Sequence, residues 1–383
     1  RWLSDWSSDV CSSDLSERRL VEEVRYNAAY RWFLGLALND PVPSHSIFSQ
    51  NRRRRFHDNE IIEKVFCETV VMAMKRGLAT GEQLFTDSTF LKASANRGKF
   101  VEEEVVREAR AYLQELQKDV NEDREKHGKP PFPDKELKQE TKKIKVSKTD
   151  PESGFMARTG KPELFCYLTH NTVDGRYNII TDVHVTPGNV HDSVPYLECL
   201  DRQVKRFGFQ VKQVALDAGY LTAGICHGLV KRSIFAVIAH RRQKGSSQLS
   251  IQKRHFTYDQ DTDTYICPCN HVLEYSTTDR EGYRQYKSKP SICSQCPKLP
   301  ECTNSNNHVR VITRHIYEDD KIRIRENRLS PEGKKLYARR RETSERSFAD
   351  AKENHGLRYC RMRGLARARE QSLMTAIVDR KSV

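Results

Sequence analysis

Two short segments of this chain read as buried strands that each carry a carboxylate. One is Gln83-Leu-Phe-Thr-Asp87-Ser-Thr-Phe-Leu91; the other, Val211-Lys-Gln-Val-Ala-Leu-Asp217-Ala-Gly219, runs out into a glycine turn. An unpaired charge on a buried strand is costly, so such acids require partners. Ligands in α/β sheets gather outside the carboxyl ends of strands. A third acid lies far off in Arg341-Glu-Thr-Ser-Glu345-Arg-Ser-Phe-Ala-Asp-Ala-Lys352. At about 100° per residue, Arg341, Glu345 and Lys352 fall within roughly 40° of one another on a helix. An acid between two cations on one face suits a divalent metal beside a phosphate backbone, although the helix alone also reads as a solvated ion-pair face. Together with the two strand acids it reads as one site assembled by folding.

The order of elements fits an α/β chain. Residues 16–82 read as helical, from Leu20, Val21, Val24, Ala28 and Ala29 and again from Ile61, Ile62, Val65, Phe66 and Val70, with Pro41-Val-Pro43 between. The core opens with the Asp87 strand. Residues 101–126 read as a charged helix, and the Lys- and Pro-rich stretch after it, to Ser147, as an exposed loop or linker. Strands follow at 165–172 and 178–185, joined by the hairpin signal Asp174-Gly175. A helix over 194–207, the Asp217 strand, a helix over 222–231 and a strand over 234–239 make a β–α–β passage. Ser330-Pro331-Glu332 starts the last helix and His355-Gly356 stops it, which puts Glu345 in mid-helix.

Between Asp217 and Glu345 lie 127 residues, more than one strand and one helix need. Segment 241–329 is therefore read as an insertion. It holds five of the eleven cysteines, Cys267, Cys269, Cys293, Cys296 and Cys302. Cys293-Ser-Gln-Cys296 has zinc-knuckle spacing, and four thiolates satisfy a tetrahedral structural site; reduced thiols or redox-sensitive pairs are the other readings.

Lys and Arg number 66 against 52 Asp and Glu, a net charge of +14 and a pI near 9.2. Twelve Lys and Arg against four acids lie between Lys334 and Arg369, so that segment supplies +8 of the excess. Arg52, Arg53, Arg54 and Arg55 form a second cluster, which also reads as a solvated helix start. Basic clusters beside a metal site favour a nucleic-acid partner over a membrane, since phosphate contacts supply most nonspecific affinity. No run of 18 apolar residues and no signal peptide is present, and a cytoplasmic, nucleoid-associated protein is expected. Residues 1–15 (RWLSDWSSDVCSSDL) resemble translated adapter sequence, and 379–383 do so too. Both are read as non-native, with the natural protein cut short at each end.

These residues resemble the catalytic triad of DDE transposases encoded by bacterial insertion sequences. The Arg-x3-Glu-x6-Lys spacing with Tyr337 upstream is similar to their C-terminal signature, although Tyr337 stands one residue farther from Arg341 than in its commonest form. Glu345-Arg-Ser-Phe-Ala-Asp-Ala-Lys-Glu-Asn-His-Gly-Leu-Arg-Tyr-Cys-Arg-Met-Arg-Gly364 and Asn27-Ala-Ala-Tyr-Arg-Trp-Phe-Leu-Gly-Leu36 are similar to the insertion-sequence eleven-eighty-two type. The resemblance runs over roughly residues 16–378 and implies several things. The fold is a ribonuclease-H-like core (83–240, with a charged insertion at 101–148), preceded by a truncated helical DNA-binding region (16–82). It is followed by the cysteine-bearing insertion (241–329) and a catalytic helix with a basic tail (330–378).

Asp87, Asp217 and Glu345 are then expected to bind two Mg²⁺ (or Mn²⁺) about 3.5–4 Å apart, for cleavage and strand transfer without a covalent enzyme–DNA intermediate. Arg341, Lys352, Tyr337 and Arg52–Arg55 are expected on DNA. Cys267, Cys293, Cys296 and Cys302 are the recurring set for structural Zn²⁺, with Cys269 as an extra. The expected partners are terminal inverted repeats, target DNA and further copies of the chain. A DNA-binding remnant without catalysis, or a ribonuclease-H-like nuclease, are the alternatives. Asp182 is a rival core carboxylate; on the last helix Glu353 stays on the face of Glu345 and is its best substitute, while Asp350, about 140° round, points elsewhere. His184, His191 with Asp192, and His355 could approach the metal site, but each reads first as a satisfied structural histidine.

Overall fold

The computed structural model describes residues 17–54, 60–106, 111–133, 141–157, 160, 162–240 and 249–378. Among them the strands, in chain order, are β1 Gln83–Lys92, β2 Phe100–Val106, β3 Thr141–Ser147, β4 Gly154–Met156, β5 Leu164–Asp174, β6 Ile180–Pro187, β7 Gln213–Leu216, β8 Phe235–Ile238, β9 Thr257–Asp259, β10 Thr264–Ile266, β11 Val272–Thr278, β12 Tyr283–Lys287 and β13 Val311–His315. The chain is mixed α/β and divides into two compact units. The first takes the described residues up to Val105, those of Lys143–Ala239 and those from Ile324 on; the second takes those of Val106–Lys142 and His240–Arg323.

In the first unit β1 is central. It pairs antiparallel with β5 on one edge and parallel with β7 on the other, and β7 pairs parallel with β8. The far edge of β5 takes β4 at its start and β6 along the rest, both antiparallel, and β3 and β2 continue beyond β4. Strand alternation decides what each face carries. Leu84, Val214, Leu216 and Ile238 meet the helices Tyr196–Phe207 and Ala223–Lys231 through Leu200, Ile225 and Leu229. Phe85, Ala215 and Val237 point the other way and pack on Leu336 of the helix Pro331–Arg340. Farther along that face Leu91 and Tyr167 pack with Phe66, Val70, Leu373 and Ala376, from the helices Glu60–Lys75 and Leu365–Val378.

The hairpin turn is built around Asp174, which is fully buried. Its carboxylate accepts from the backbone N–H of Arg176 (2.8 Å), Thr80 (3.0 Å) and Gly81 (2.7 Å), so it also fixes the approach to β1. The expected helix starts hold: Thr222 accepts from Ile225 N at 3.3 Å, and Ser330 accepts from Gly333 N at 3.0 Å with Pro331 following.

Three segments differ from the sequence reading. Residues 100–106 are strand rather than the opening of the charged helix, which spans Ala111–Lys126. Thr141–Ser147, read as linker, is β3. The charged helix itself was attached to the core and the segment 241–329 treated as separate, yet most of both belong to the second unit. There Asp123 accepts from Arg284 Nε (2.8 Å) and Thr278 Oγ1 (2.7 Å), while Arg124 donates to Thr278 O (2.8 Å). These bonds fasten the helix to an antiparallel sheet of order β13-β12-β11-β10-β9. Tyr265, Leu273, Tyr286 and Ile312 form its apolar centre. No helix among the described residues is long and apolar enough to cross a membrane.

The start of the helix Pro331–Arg340 is packed closely: a Cβ on Gly333 would collide with the carbonyl of Asn327. Ser330→Ala is expected to cost about 1 kcal/mol through the lost cap, and Gly333→Ala about 2 kcal/mol or more through overpacking. Urea unfolding of both variants checks this, and a Gly333→Ala protein no less stable than Ser330→Ala would contradict the packing.

Candidate active site

Asp87 and Asp217 are brought together by register. Thr86 pairs with Leu216 across the parallel β1–β7 ladder, so the next residue on each strand is the acid. Alternation puts Asp87 on the face of Phe85 and Asp217 on the face of Ala215, the face covered by the helix Pro331–Arg340. Strands lie about 4.8 Å apart. Asp217 is exposed at the strand end and begins a short 3-10 turn, Ala218–Tyr220.

Glu345 arrives on the same face by a different device. The expected continuous α-helix is interrupted: Arg341–Glu345 is a π-helical turn between the helices Pro331–Arg340 and Arg346–Asn354. The cause lies in Thr343 and Ser344, both buried. Thr343 Oγ1 donates to the carbonyls of Arg339 and Arg340 (3.1 Å each), and Ser344 Oγ to that of Arg340 (3.2 Å). Hydroxyls that bond back onto the preceding turn compete with its amides and bend a helix. A π turn takes in one extra residue, and such turns are frequent at functional sites.

The extra residue changes which arginine meets the acids. Arg340, not Arg341, joins them: its Nη2 lies 2.6 Å from Asp87 Oδ2 and its Nη1 3.0 Å from Glu345 Oε1. The Arg340 side chain is 6% exposed, that of Asp87 18% and that of Glu345 51%. Asp217 acts electrostatically on both Asp87 and Arg340. Arg341 is exposed. The expectation of Arg341 beside Glu345 rested on an uninterrupted 100° step, which the π turn breaks. Arg340 also stands three residues after Tyr337, the commonest spacing of the signature described above. The Tyr337 ring lies 5.9 Å from the Arg340 guanidinium and packs with Phe85 and Leu336.

Burial pushes Asp87 up from an ordinary 3.8 to about 6, against the pull of Arg340 and the Ser88 N–H, with Asp217 and Asp192 adding to the rise. Asp192, named in the sequence only as a companion of His191, is thus part of the site's field. Asn171, directly opposite Asp87 on β5, was not singled out at all. It is 3% exposed, and its Oδ1 has no hydrogen-bond partner. Nothing in its local sequence marks it, because its role follows from cross-strand register alone.

The other candidates lie elsewhere. Lys352 sits 5.1 Å from the Phe90 ring. Asp182 faces the opposite side of the sheet, where it pairs with Arg202 at 2.5 Å. Burial pushes His184, nearby on β6, down to about 4. Glu353 pairs with Arg358. Arg52, Arg53 and Arg54 belong to the helix His45–Arg54, and Arg55 lies outside the described residues.

In the second unit all five cysteines line one small cavity. Cys267 Sγ accepts from the N–H of Cys269 (3.3 Å) and of His271 (3.4 Å), and Cys269 Sγ lies 3.7 Å from Cys296 Sγ. Cys269, expected as an extra, lines the same cavity as the other four. Among the described residues no three His, Cys, Asp or Glu side chains are arranged as a group ready to hold a metal ion. At the acids, the cation between Asp87 and Glu345 is Arg340. The donor set there is nonetheless all oxygen, with an orphaned buried carboxamide oxygen beside it, and that chemistry fits a hard divalent cation.

Residues 266–379 match the family described as a transposase DDE domain, and residues 12–54 match the family described as a transposase domain (DUF772). The first match contains Glu345 and the five cysteines. Both matches support a transposase. No curated protein matches the chain. Among solved structures, a piggyBac transposase synaptic complex with hairpin DNA aligns at 11% identity and a TM-score of 0.35, over 98% of this chain and 64% of that one. A Mos1 transposase paired-end complex with the left transposon end aligns at 10% identity and a TM-score of 0.19, over 62% of this chain and 59% of that one. Neither likeness is close enough to carry an argument about fold. The chain spans less than two thirds of either protein.

A carboxyl whose folded value lies above its unfolded one binds more protons in the folded state. It therefore costs stability as pH rises through the interval, here from about 4 to 6. In metal-free buffer Asp87→Asn should be more stable than the parent at pH 7.5 by on the order of 1–3 kcal/mol, with the gap closing by pH 4. Thermal melts across that range check it; a variant less stable at pH 7.5 would show the Asp87 charge to be well accommodated.

Proposed function

We propose that this protein is a transposase of the insertion-sequence eleven-eighty-two type. It cuts DNA at the ends of its element and joins them to a target, with Asp87, Asp217 and Glu345 holding two divalent metals. The observation that carries the reading is the meeting of Asp87 and Glu345 on one guanidinium, next to the strand end that bears Asp217. The three acids, each more than 100 positions from the next, converge on one face of the sheet.

The core is read as ribonuclease-H-like. Support comes from its central strand, which has an antiparallel hairpin on one side and two parallel strands on the other. The helices up to Lys75 are read as the DNA-binding region and the second unit as the insertion.

Bound metal would supply Lewis-acid stabilisation of the scissile phosphate and an activated water or 3′-hydroxyl. The chain's own groups do the rest. Asp87 lies on a strand and Asp217 just past the end of its neighbour, so the ladder sets the separation of their backbones. Glu345 is held by a helix packed on that sheet. Arg341, exposed at the start of the π turn, and Lys352 provide phosphate contacts, and Tyr337 steadies Arg340 through its ring. Arg52–Arg55 are assigned to DNA contact on their charge. The partners are the terminal inverted repeats, the target duplex and further copies of the chain, in the cytoplasm near the nucleoid. A structural Zn²⁺ is assigned to the five-cysteine cavity. The N–H···S bonds to Cys267 support it, as does the 3.7 Å sulfur separation, close to the edge of a tetrahedron with Zn–S near 2.3 Å.

With Mn²⁺ and a plasmid bearing the element's ends, the parent should cleave and join, and Asp217→Ala should lose at least about a hundredfold in rate. Cleavage without joining would point to a nuclease, and binding without either to a DNA-binding remnant. Purified protein should also carry one zinc per chain by elemental analysis, lost in Cys296→Ser. A metal-free, fully folded parent would remove the zinc assignment.

A further inference from the structure

Arg340 is among the least expected groups at the site. Its side chain is 6% exposed, and its two terminal nitrogens are engaged by Asp87 and Glu345. Its Nε is buried with no hydrogen-bond partner. Burying a guanidinium is costly unless every donor is satisfied, so this one is held firmly by charge but not completely. The two carboxylates it joins are the ones the proposed metals need. Asp87, Asp217 and Glu345 together carry three negative charges, against one on Arg340, so the cluster retains a strong pull on a divalent ion.

We infer that Arg340 is a built-in counter-cation: it holds Asp87 and Glu345 together while no metal is bound, and a divalent ion must displace it to bind. The inference rests on the reading of these acids as metal ligands. Without such a cation, Asp87 and Glu345 would repel each other across the gap, and Asp87 would be a buried charge without a partner. With it, the carboxylates are gathered before the ion arrives, at the expense of competition with that ion. A displaced guanidinium loses both its partners beside the place where the proposed substrate brings phosphates. Arg340 is on this account a positioning residue. The π turn is what makes the arrangement possible, because it carries Glu345 past the position at which Arg341 would have met it.

The test is Mn²⁺ binding to the full chain, freed of Mg²⁺ and Mn²⁺ but with any zinc left in place, by titration calorimetry, with parent, Arg340→Gln, Arg340→Lys and Asp217→Asn. Arg340→Gln should bind Mn²⁺ about tenfold more tightly than the parent, since a competing charge is gone. Arg340→Lys should stay within about threefold of the parent, since a charge remains. Equal or weaker binding by Arg340→Gln would overturn the inference, leaving Arg340 as scaffold. A parent that binds no Mn²⁺, or an Asp217→Asn protein that binds it as well as the parent, would instead sink the metal reading itself and this inference with it.

A second measurement reads the displacement in the parent itself and uses a variant only for assignment. In the parent, the Arg340 guanidinium resonances, assigned by difference from Arg340→Lys, should shift or broaden on adding Mg²⁺. Resonances unchanged at saturating Mg²⁺ would overturn the displacement.

Discussion

The arrangement of this molecule depends on one buried guanidinium and the acids it gathers. Removing a charge from water is expensive, and the expense is met only where opposite charges are fixed nearby. Arg340 meets that condition because three separate pieces of secondary structure deliver to it. The parallel β1–β7 ladder sets Asp87 beside Asp217. The capped start at Ser330 and the close approach of Gly333 to Asn327 fix where the helix Pro331–Arg340 begins, and Leu336 seats it on the sheet. The π turn then carries Glu345 to the other side of the guanidinium. Loss of any one of these takes at least one carboxylate away from the cluster.

The strand acids were legible in the sequence because period-two alternation and a glycine turn are local signals. So were Ser330 and Pro331, whose effect is confined to one helical turn. Arg340 was not, since a helical wheel assumes one step throughout. The signal that would have found it is the pair Thr343-Ser344 next to a signature one residue too long. Asn171 could not be read at all, because only cross-strand register sets it opposite Asp87, whereas Asp192 was legible only as a companion of His191.

The segment 100–106 shows the opposite failure. Glu102, Glu103 and Glu104 favour helix locally, but the edge pairing with β3 makes them strand. Tertiary pairing overrides propensity most readily in such short, charged stretches. The second unit makes a similar point about organisation. Composition separated a charged helix from a cysteine-rich insertion, whereas the salt bridges and hydrogen bonds of Asp123 and Arg124 tie the two into one body. Sequence gaps of more than 150 residues hide such partnerships from any windowed reading.

The central claim is that Asp87, Asp217 and Glu345 form one metal site. It is tested most directly by loading the chain with Fe²⁺, adding ascorbate and peroxide, and mapping where locally generated radicals cut the backbone. The account predicts cuts grouped near residues 87, 217 and 345 together, suppressed by excess Mg²⁺. Cuts confined to the cysteine-lined cavity, or near only one of the three acids, would contradict it.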